Sequence, residues 1–221
     1  MHFPNGNLAR AGGRAMNIGI LGSGRVGSAL GRQWARLGHA VMFGSRTPDR
    51  LRDMVKSAGP NARAGTSEEV VAFADVILLS VPWTATRETV TSVMDWRGKV
   101  LIDAVNRLRD LPPVDSIGAS SEDVAHWARG ARVVKAFNTI GSEVMDQPVF
   151  DGDRAALLLC GDDPDAKAVV AGLASEIGFE PVDAGGIKMS EIVDHMTRLW
   201  IGLATNTPLG RNFAFKLLSR D

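Results

Sequence analysis

Met16-Asn17-Ile18-Gly19-Ile20-Leu21-Gly22-Ser23-Gly24-Arg25-Val26-Gly27 is the stretch that decides the fold of this chain. Its apolar first half predicts a strand, and its glycines open a segment with helical spacing over 26–37. In such a strand–turn–helix, the glycines permit the tight turn, the approach of a pyrophosphate and close packing of the helix on the strand. The alternative is a tight turn that binds nothing. We expect a dinucleotide site formed by Gly22, Ser23, Gly24, Arg25, Val26 and Gly27.

The end of the second predicted strand, over 40–44, indicates which dinucleotide is bound. Ser45 and Arg46 follow this strand directly, and Arg50 comes four residues later. A site for NAD carries an acid at the strand end to bind the ribose 2′-hydroxyl, and no acid stands there. A hydroxyl and a guanidinium instead suit the 2′-phosphate of NADP. The alternative is that Arg46 and Arg50 are solvated charges at the start of a helix.

The composition is that of an ordinary globular chain of 221 residues, with 45% apolar residues and 25 basic against 25 acidic side chains. Zero net charge without a basic run argues against a general affinity for nucleic acid or for an anionic membrane. The apolar runs are too short to predict a membrane span. We find no residue spacing typical of a metal site, so we expect no metal.

The one cysteine, Cys160, lies in an apolar strand-like run. This position favours a buried structural thiol and a cytoplasmic location. Residues 1–15 lack the apolar stretch of a secretory signal and are rich in Gly and Asn, so we expect a flexible extension. Residues 16–221 then form a single domain.

Strand-like and helix-like segments alternate along this domain. Further strands are expected near 61–64, 75–81, 99–104, 132–137, 155–160 and 179–183. Helices are expected over 48–57, from 66, and over 84–96, 121–127, 165–177 and 187–204, with a loop over 106–118. The alternation predicts an α/β fold, a Rossmann-type doubly wound, mostly parallel sheet with helices on both faces and a small C-terminal helical extension. Ligands bind such folds at the carboxyl ends of the strands.

The strand ends carry amides, hydroxyls and apolar walls. Asn106, Asn138 and Thr139 are suited to hydrogen-bond a nicotinamide carboxamide or a substrate ring, unless they only cap loops. Trp83 and Phe137 are candidate walls. No positioned proton donor is evident. Such a site favours hydride exchange between two rings, which needs orientation and a dry slot, so we expect no catalytic side chain.

Six motifs in order carry a resemblance to a known family. They are Gly19–Gly24, Phe43–Arg46, Val100–Asn106, Val134–Ile140, Cys160–Asp163 and Pro181–Gly185. Over about residues 16–204, the chain resembles the NADP oxidoreductases that depend on the deazaflavin coenzyme F-420. It is also similar to the cytosolic reductase domain of the six-transmembrane metalloreductases, which pairs NADPH with a flavin.

The resemblance implies NADPH on the glycine turn and a flavin-type small molecule as its partner in hydride transfer. It implies the 2′-phosphate at Ser45, Arg46 and Arg50, and the nicotinamide near Ser80, Val81, Pro82, Asn106, Ala136 and Asn138. It implies the second ring against Trp83, Asn138, Thr139 and Ile140, with Met196 and Leu199 closing the other side. The deazaflavin enzymes often carry His where this chain has Asn138, so F-420, FMN and FAD all stay open as the second cofactor.

Other functions share these sequence features. They include a ferric or free-flavin reductase of the same family, a β-hydroxyacid or imine reductase, and an NADP-sensing protein without activity. About forty residues follow Gly178, which is short for the helical domain that β-hydroxyacid reductases usually add. The apolar segments 199–203 and 213–218 indicate either a homodimer interface or core burial.

Overall fold

Six parallel strands form the main sheet, in the order β3-β2-β1-β4-β5-β6. They are β1 (Asn17–Leu21), β2 (Ala40–Gly44), β3 (Ala62–Gly65), β4 (Val76–Leu79), β5 (Val100–Asp103) and β6 (Arg132–Lys135). The structure is a computed structural model that describes residues 15–107 and 120–220. Because the strand order reverses between β1 and β4, the carboxyl ends of these two strands flank the crevice where ligands bind in such sheets. The predicted Rossmann-type fold is confirmed.

Helices cover both faces of this sheet. They are α1 (Arg25–Arg36), α2 (Arg52–Ala58), α3 (Ser67–Phe73), α4 (Trp83–Thr91), α5 (Ser120–Trp127), α6 (Pro164–Ile177) and α7 (Ser190–Asn206). Apolar side chains of α1, α2 and α6 pack in one core cluster, and those of α3, α4 and α5 pack in another. Strands β4 and β5 lie between these two clusters and are buried on both faces. This is why their sequences are nearly continuous apolar runs.

A second, smaller unit of strands follows β6. The hairpin β7 (Val149–Phe150) and β8 (Asp153–Arg154) precedes the parallel pair β9 (Ala156–Leu159) and β10 (Glu180–Asp183). An antiparallel bridge between Lys135 and Cys160 links this pair to the main sheet. Cys160 is buried and free, as predicted.

Several elements differ from the sequence-based expectations. The helix expected over 48–57 is a 3-10 turn, Pro48–Leu51, followed by α2, and the helix expected over 84–96 already ends at Thr91. The hairpin β7–β8 was not expected. The extension over 1–15 and the loop over 106–118 fall largely outside the described residues. Within the described residues, no helix is long and apolar enough to span a bilayer.

Phe137 departs from its expected role. Strand β6 ends at Lys135, and Phe137 takes a positive φ of 62°, which is unusual for a bulky residue. Its ring is buried, with edge-on contacts to Trp34 at 5.9 Å and Phe179 at 5.8 Å between centroids. The prediction that Phe137 forms a wall of the ligand site is therefore wrong, because its ring packs in the core against Trp34 and Phe179.

Candidate functional site

The glycine turn between β1 and α1 is held by contacts that leave no room for a side chain at Gly22 or Gly27. Gly22 has a φ of 107°, and a Cβ there would lie 2.6 Å from the carbonyl carbon of Ser80. The Ser80 hydroxyl donates a hydrogen bond of 2.7 Å to the Gly22 carbonyl oxygen. A Cβ on Gly27 would meet the same Gly22 oxygen at 2.0 Å. The turn is thus fixed between the end of β4 and the start of α1.

Gly24 differs from both of these glycines. It is the N-cap of α1, and a Cβ on it would have no neighbour within 4 Å. No side chain caps this helix, and its first turn contains no acid. The first N–H groups of a helix lack partners within the helix and carry partial positive charge. Open space over an uncapped helix start is the environment that a pyrophosphate requires.

A cleft of about 400 Å³ opens beside this turn, between β1, β2 and α4. Its lining residues are Leu21, Gly22, Ser23, Gly44, Ser45, Arg46, Ser67, Val81, Pro82, Ala85, Glu88, Thr89 and Ser92. A second cavity of about 300 Å³ shares Ser45, Arg46, Ser67 and Ser92 with it. The sequence did not identify Ser67, Thr89 or Ser92. They lie on α3, on α4 and directly after α4, and only the tertiary structure brings these segments to the crevice.

Ser45 and Arg46 lie at the end of the cleft where the adenosine half of a dinucleotide is expected. Within residues 15–107 and 120–220, no carboxylate lies within 4.0 Å of the Arg46 guanidinium. Asp49, the nearest acid along the chain, instead pairs with Arg52 at 2.7 Å. The Ser45 oxygen accepts the Thr47 N–H at 3.0 Å, which leaves its hydroxyl hydrogen available to a ligand. Arg50 is exposed and does not line the cleft.

The other end of the cleft is lined by Val81 and Pro82. Next to Pro82, Trp83 packs against Trp127 with their ring centroids 5.7 Å apart. The Arg107 guanidinium lies 5.0 Å from the Trp83 ring centroid and 3.5 Å from Asp123 Oδ2. The carboxyl end of β4 is therefore bordered by aromatic rings and an ion pair.

The residues after β6 lie deeper than the sequence suggested. Ala136, Asn138, Thr139 and Ile140 are all buried. The Asn138 amide donates to Asp194 Oδ1 at 3.2 Å and to Thr197 Oγ1 at 3.0 Å. The Oδ1 atoms of Asn106 and Asn138 are buried without a hydrogen-bond partner in the described part of the chain. Both amide oxygens can therefore accept a hydrogen bond at the strand ends, but they lie beneath the protein surface.

Met196 and Leu199 do not join the cleft. Met196 packs against Leu158, Cys160 and Val193 beside the second sheet. The Leu199 side chain is 54% exposed. Their predicted contact with the second ring stays a prediction.

A buried charge cluster under the carboxyl ends of β5 and β6 was not identified from the sequence. It consists of Lys135, Asp103 and Asp194, which are at most 4% exposed. Burial alone would lower the pKa of Lys135, but the charges of Asp103 and Asp194 outweigh it and raise that pKa above its usual value. The sequence did contain a signal for this cluster. Asp103 and Lys135 stand in apolar strand segments, and buried charges must be paired.

Comparisons with known proteins indicate the family to which this chain belongs. A family model described as "NADP oxidoreductase coenzyme F420-dependent" matches residues 17–107. The F-420-dependent NADP reductase of Methanothermobacter thermautotrophicus is 32% identical over 213 residues, covering 85% of this chain and 89% of that protein. Metalloreductase STEAP3 of Rattus norvegicus is 31% identical over 191 residues, and this chain spans 38% of its length. A crystal structure from Arthrobacter sp. FB24 has a TM-score of 0.80 and 26% identity, covering 93% of this chain and 100% of that one.

Proposed function

Because this chain belongs to the family of F-420-dependent NADP reductases, we propose that it transfers hydride between NADPH and a deazaflavin or flavin ring. The observation that carries the proposal is a cleft lined by both Ser23 and Arg46, which opens beside the uncapped helix start at Gly24. The helix start suits a pyrophosphate and the Arg46 guanidinium suits a 2′-phosphate. NADP has both groups.

The residues of the cleft divide the work of holding the coenzyme. Backbone N–H groups at the start of α1 bind the pyrophosphate, while Ser45 and Arg46 bind the 2′-phosphate. Val81 and Pro82 line the part of the cleft that would hold the nicotinamide. The Asn106 Oδ1 atom is available to accept a hydrogen bond from the nicotinamide carboxamide. When bound, the nicotinamide supplies the hydride that the second ring accepts. The chain contributes by orienting the two rings and by excluding water.

The arrangement of ionisable groups supports ring-to-ring transfer over carbonyl reduction. A carbonyl reductase must deliver a proton to an alkoxide from a positioned acid. Near the strand ends, Lys135, Asp103 and Asp194 are bonded to one another. Trp83 and the residues after β6 are candidates for the second ring, and F-420, FMN and FAD are its candidate identities.

A second candidate is reduction of a free flavin that passes electrons on to a ferric complex. The identity of 31% with metalloreductase STEAP3 favours it. For either reaction we propose the reducing cytoplasm, where the lone buried thiol of Cys160 suits the compartment. The proposed partner is a small flavin-type molecule, with neither nucleic acid nor a membrane involved. The exposed apolar side chains of Leu199 and Leu218 support a homodimer.

An acceptor screen tests the proposal. Purified protein is mixed with NADPH and, separately, F-420, FMN, FAD and ferric citrate, and the loss of NADPH absorbance is followed. We expect turnover with at least one ring acceptor, and a much lower kcat/KM when NADH replaces NADPH. Absence of turnover with all acceptors would refute the enzymatic proposal, whereas turnover with ferric citrate only when a flavin is present would favour the second candidate.

A further inference from the structure

The cluster of Lys135, Asp103 and Asp194 contains one cation and two anions without access to water. The Lys135 ammonium lies 3.0 Å from Asp194 Oδ1 and 3.5 Å from Asp103 Oδ2. It also donates to the carbonyl oxygen of Val105 at 2.6 Å and to the Ser120 hydroxyl at 3.0 Å. Strand β5, strand β6 and helices α5 and α7 therefore meet at one buried ammonium.

Hydrogen-bond donors surround both carboxylates. Asp103 accepts from the Ser121 hydroxyl at 2.6 Å and from the Val105 N–H at 2.9 Å, in addition to Lys135. An ionised carboxylate has no proton and can only accept hydrogen bonds, so three donors fit the ionised form of Asp103.

Asp194 has the same kind of environment. Besides the contact with Lys135, it accepts from the Ser120 hydroxyl at 2.5 Å and from the Asn138 amide at 3.2 Å. With both carboxylates ionised and one ammonium between them, the cluster holds one surplus negative charge. Such a charge acts over a longer range in the protein interior than it would in water.

The cluster lies directly behind the strand ends to which the nicotinamide is assigned. Asp103 bonds the N–H of Val105, the residue before Asn106, and Asp194 bonds the side chain of Asn138. Since consecutive Cα atoms are about 3.8 Å apart, a ring contacted by Asn106 would lie roughly 8–10 Å from the Asp103 carboxylate.

We propose that the surplus negative charge of the Lys135–Asp103–Asp194 cluster stabilises the oxidised, cationic nicotinamide relative to the reduced, neutral one. Loss of hydride from NADPH leaves a positive charge on the ring, and the buried charge favours that product. The cluster thus makes bound NADPH a stronger hydride donor without touching the reacting atoms. The inference rests on the proposed placement of the nicotinamide, but not on the identity of the second ring.

The test is the ratio of the dissociation constants of NADP⁺ and NADPH, measured at equilibrium without any acceptor. Contacts to the 2′-phosphate and pyrophosphate are common to both forms, so they cancel in the ratio. Asp194→Asn removes one negative charge, while Lys135 keeps Asp103 and its two neutral partners. Thr197→Val is the matched control, because it removes the other hydrogen bond of the Asn138 amide without changing charge.

We expect Asp194→Asn to weaken the binding of NADP⁺ relative to that of NADPH by about five- to twentyfold. This is the effect of one charge at this distance in a protein environment. Each tenfold corresponds to about 30 mV in the potential of the bound two-electron couple. Thr197→Val should change the ratio less than about twofold by the same reasoning, since no charge is lost. Asp103→Asn should shift the ratio in the same direction as Asp194→Asn.

An unchanged ratio in both aspartate variants, or an equal shift in Thr197→Val, would overturn the inference. If neither aspartate variant folds, the wild-type protein decides: it should bind NADP⁺ at least as tightly as NADPH, and tighter binding of NADPH would refute the role of the charge. A protein that shows the shift but reduces no flavin would refute the proposed acceptor and leave this inference standing. A protein that binds neither form of the coenzyme would refute both.

Discussion

A Cβ added to Gly27 would lie 2.0 Å from the carbonyl oxygen of Gly22. The first turn of α1 therefore rests directly on the turn that begins the glycine motif. Gly24, between these two residues, faces space that is open for at least 4 Å. One motif thus combines glycines needed for packing with a glycine whose missing side chain matters only when a ligand is bound.

Gly24→Ala should lower the affinity for NADP without lowering the melting temperature. Its φ of −73° and ψ of −162° are accessible to alanine, and the protein offers no clash. The added methyl group occupies the approach of the pyrophosphate, so we expect a loss of roughly tenfold or more, equivalent to about 1.4 kcal/mol. Calorimetric titration with NADP measures it.

Gly27→Ala is the comparison for this prediction. It should destabilise the folded protein, because the backbone at Gly22 must move. If Gly24→Ala bound NADP as tightly as the wild type, the pyrophosphate would not lie over Gly24.

Arg46→Gln should raise the dissociation constant of NADP by about ten- to a hundredfold, the usual range for a hydrogen bond to a charged group. The constant for NAD should change little, because NAD lacks the 2′-phosphate. Arg50→Gln is a matched control with the same loss of charge. Since Arg50 does not line the cleft, we expect a smaller effect from it. Equal losses for NADP and NAD in Arg46→Gln would contradict the assignment of the 2′-phosphate.

Lys135→Met should destabilise the protein by about 3–5 kcal/mol, because it leaves two buried carboxylates without their cation. Arg52→Met provides the comparison. Arg52 contacts Asp49 at 2.7 Å in an exposed pair, and its loss should cost about 1 kcal/mol or less. Urea unfolding of both variants measures the difference. Similar losses would show that burial does not determine how much the Lys135 ion pairs contribute to the free energy of unfolding.

The free energy of unfolding should fall with rising pH in part because of Cys160. Burial raises the pKa of this thiol from 9.0 to about 12. Between these two values, the unfolded chain loses the thiol proton while the folded chain keeps it, so stability is lost as pH rises, by up to about 1.4 kcal/mol per pH unit. Cys160→Ala removes this contribution.

Urea unfolding from about pH 8 to about pH 11 should therefore show a shallower decline for Cys160→Ala than for the wild type. The packing lost with the sulfur lowers stability by a similar amount at every pH, so only the slopes are compared. Identical slopes would be inconsistent with a thiol held neutral in the core. The native protein should also resist alkylation at Cys160 until it unfolds.

Local sequence was sufficient for the two elements to which we assign the phosphates of the coenzyme. The turn at Gly22–Gly27 and the strand end at Ser45–Arg46 each lie within a few consecutive residues. The types of these residues therefore indicate the local structure directly. The capping box at Thr66 and Glu69, where each side chain bonds the other's backbone, was predictable for the same reason. Alternation of short apolar runs with helical spacing then determined the doubly wound sheet.

Only the tertiary structure decided what the residues after β6 contact. The sequence placed Phe137 and Asn138 at a ligand edge, yet Phe137 turns into an aromatic core with Trp34 and Phe179. Asn138 bonds Asp194, which lies on a helix far along the chain. Lys135 likewise found its partners on other elements. A glycine's conformational freedom is a local property that the sequence shows directly, whereas the partner of a buried charge depends on which distant segments the fold brings within a few ångströms of it.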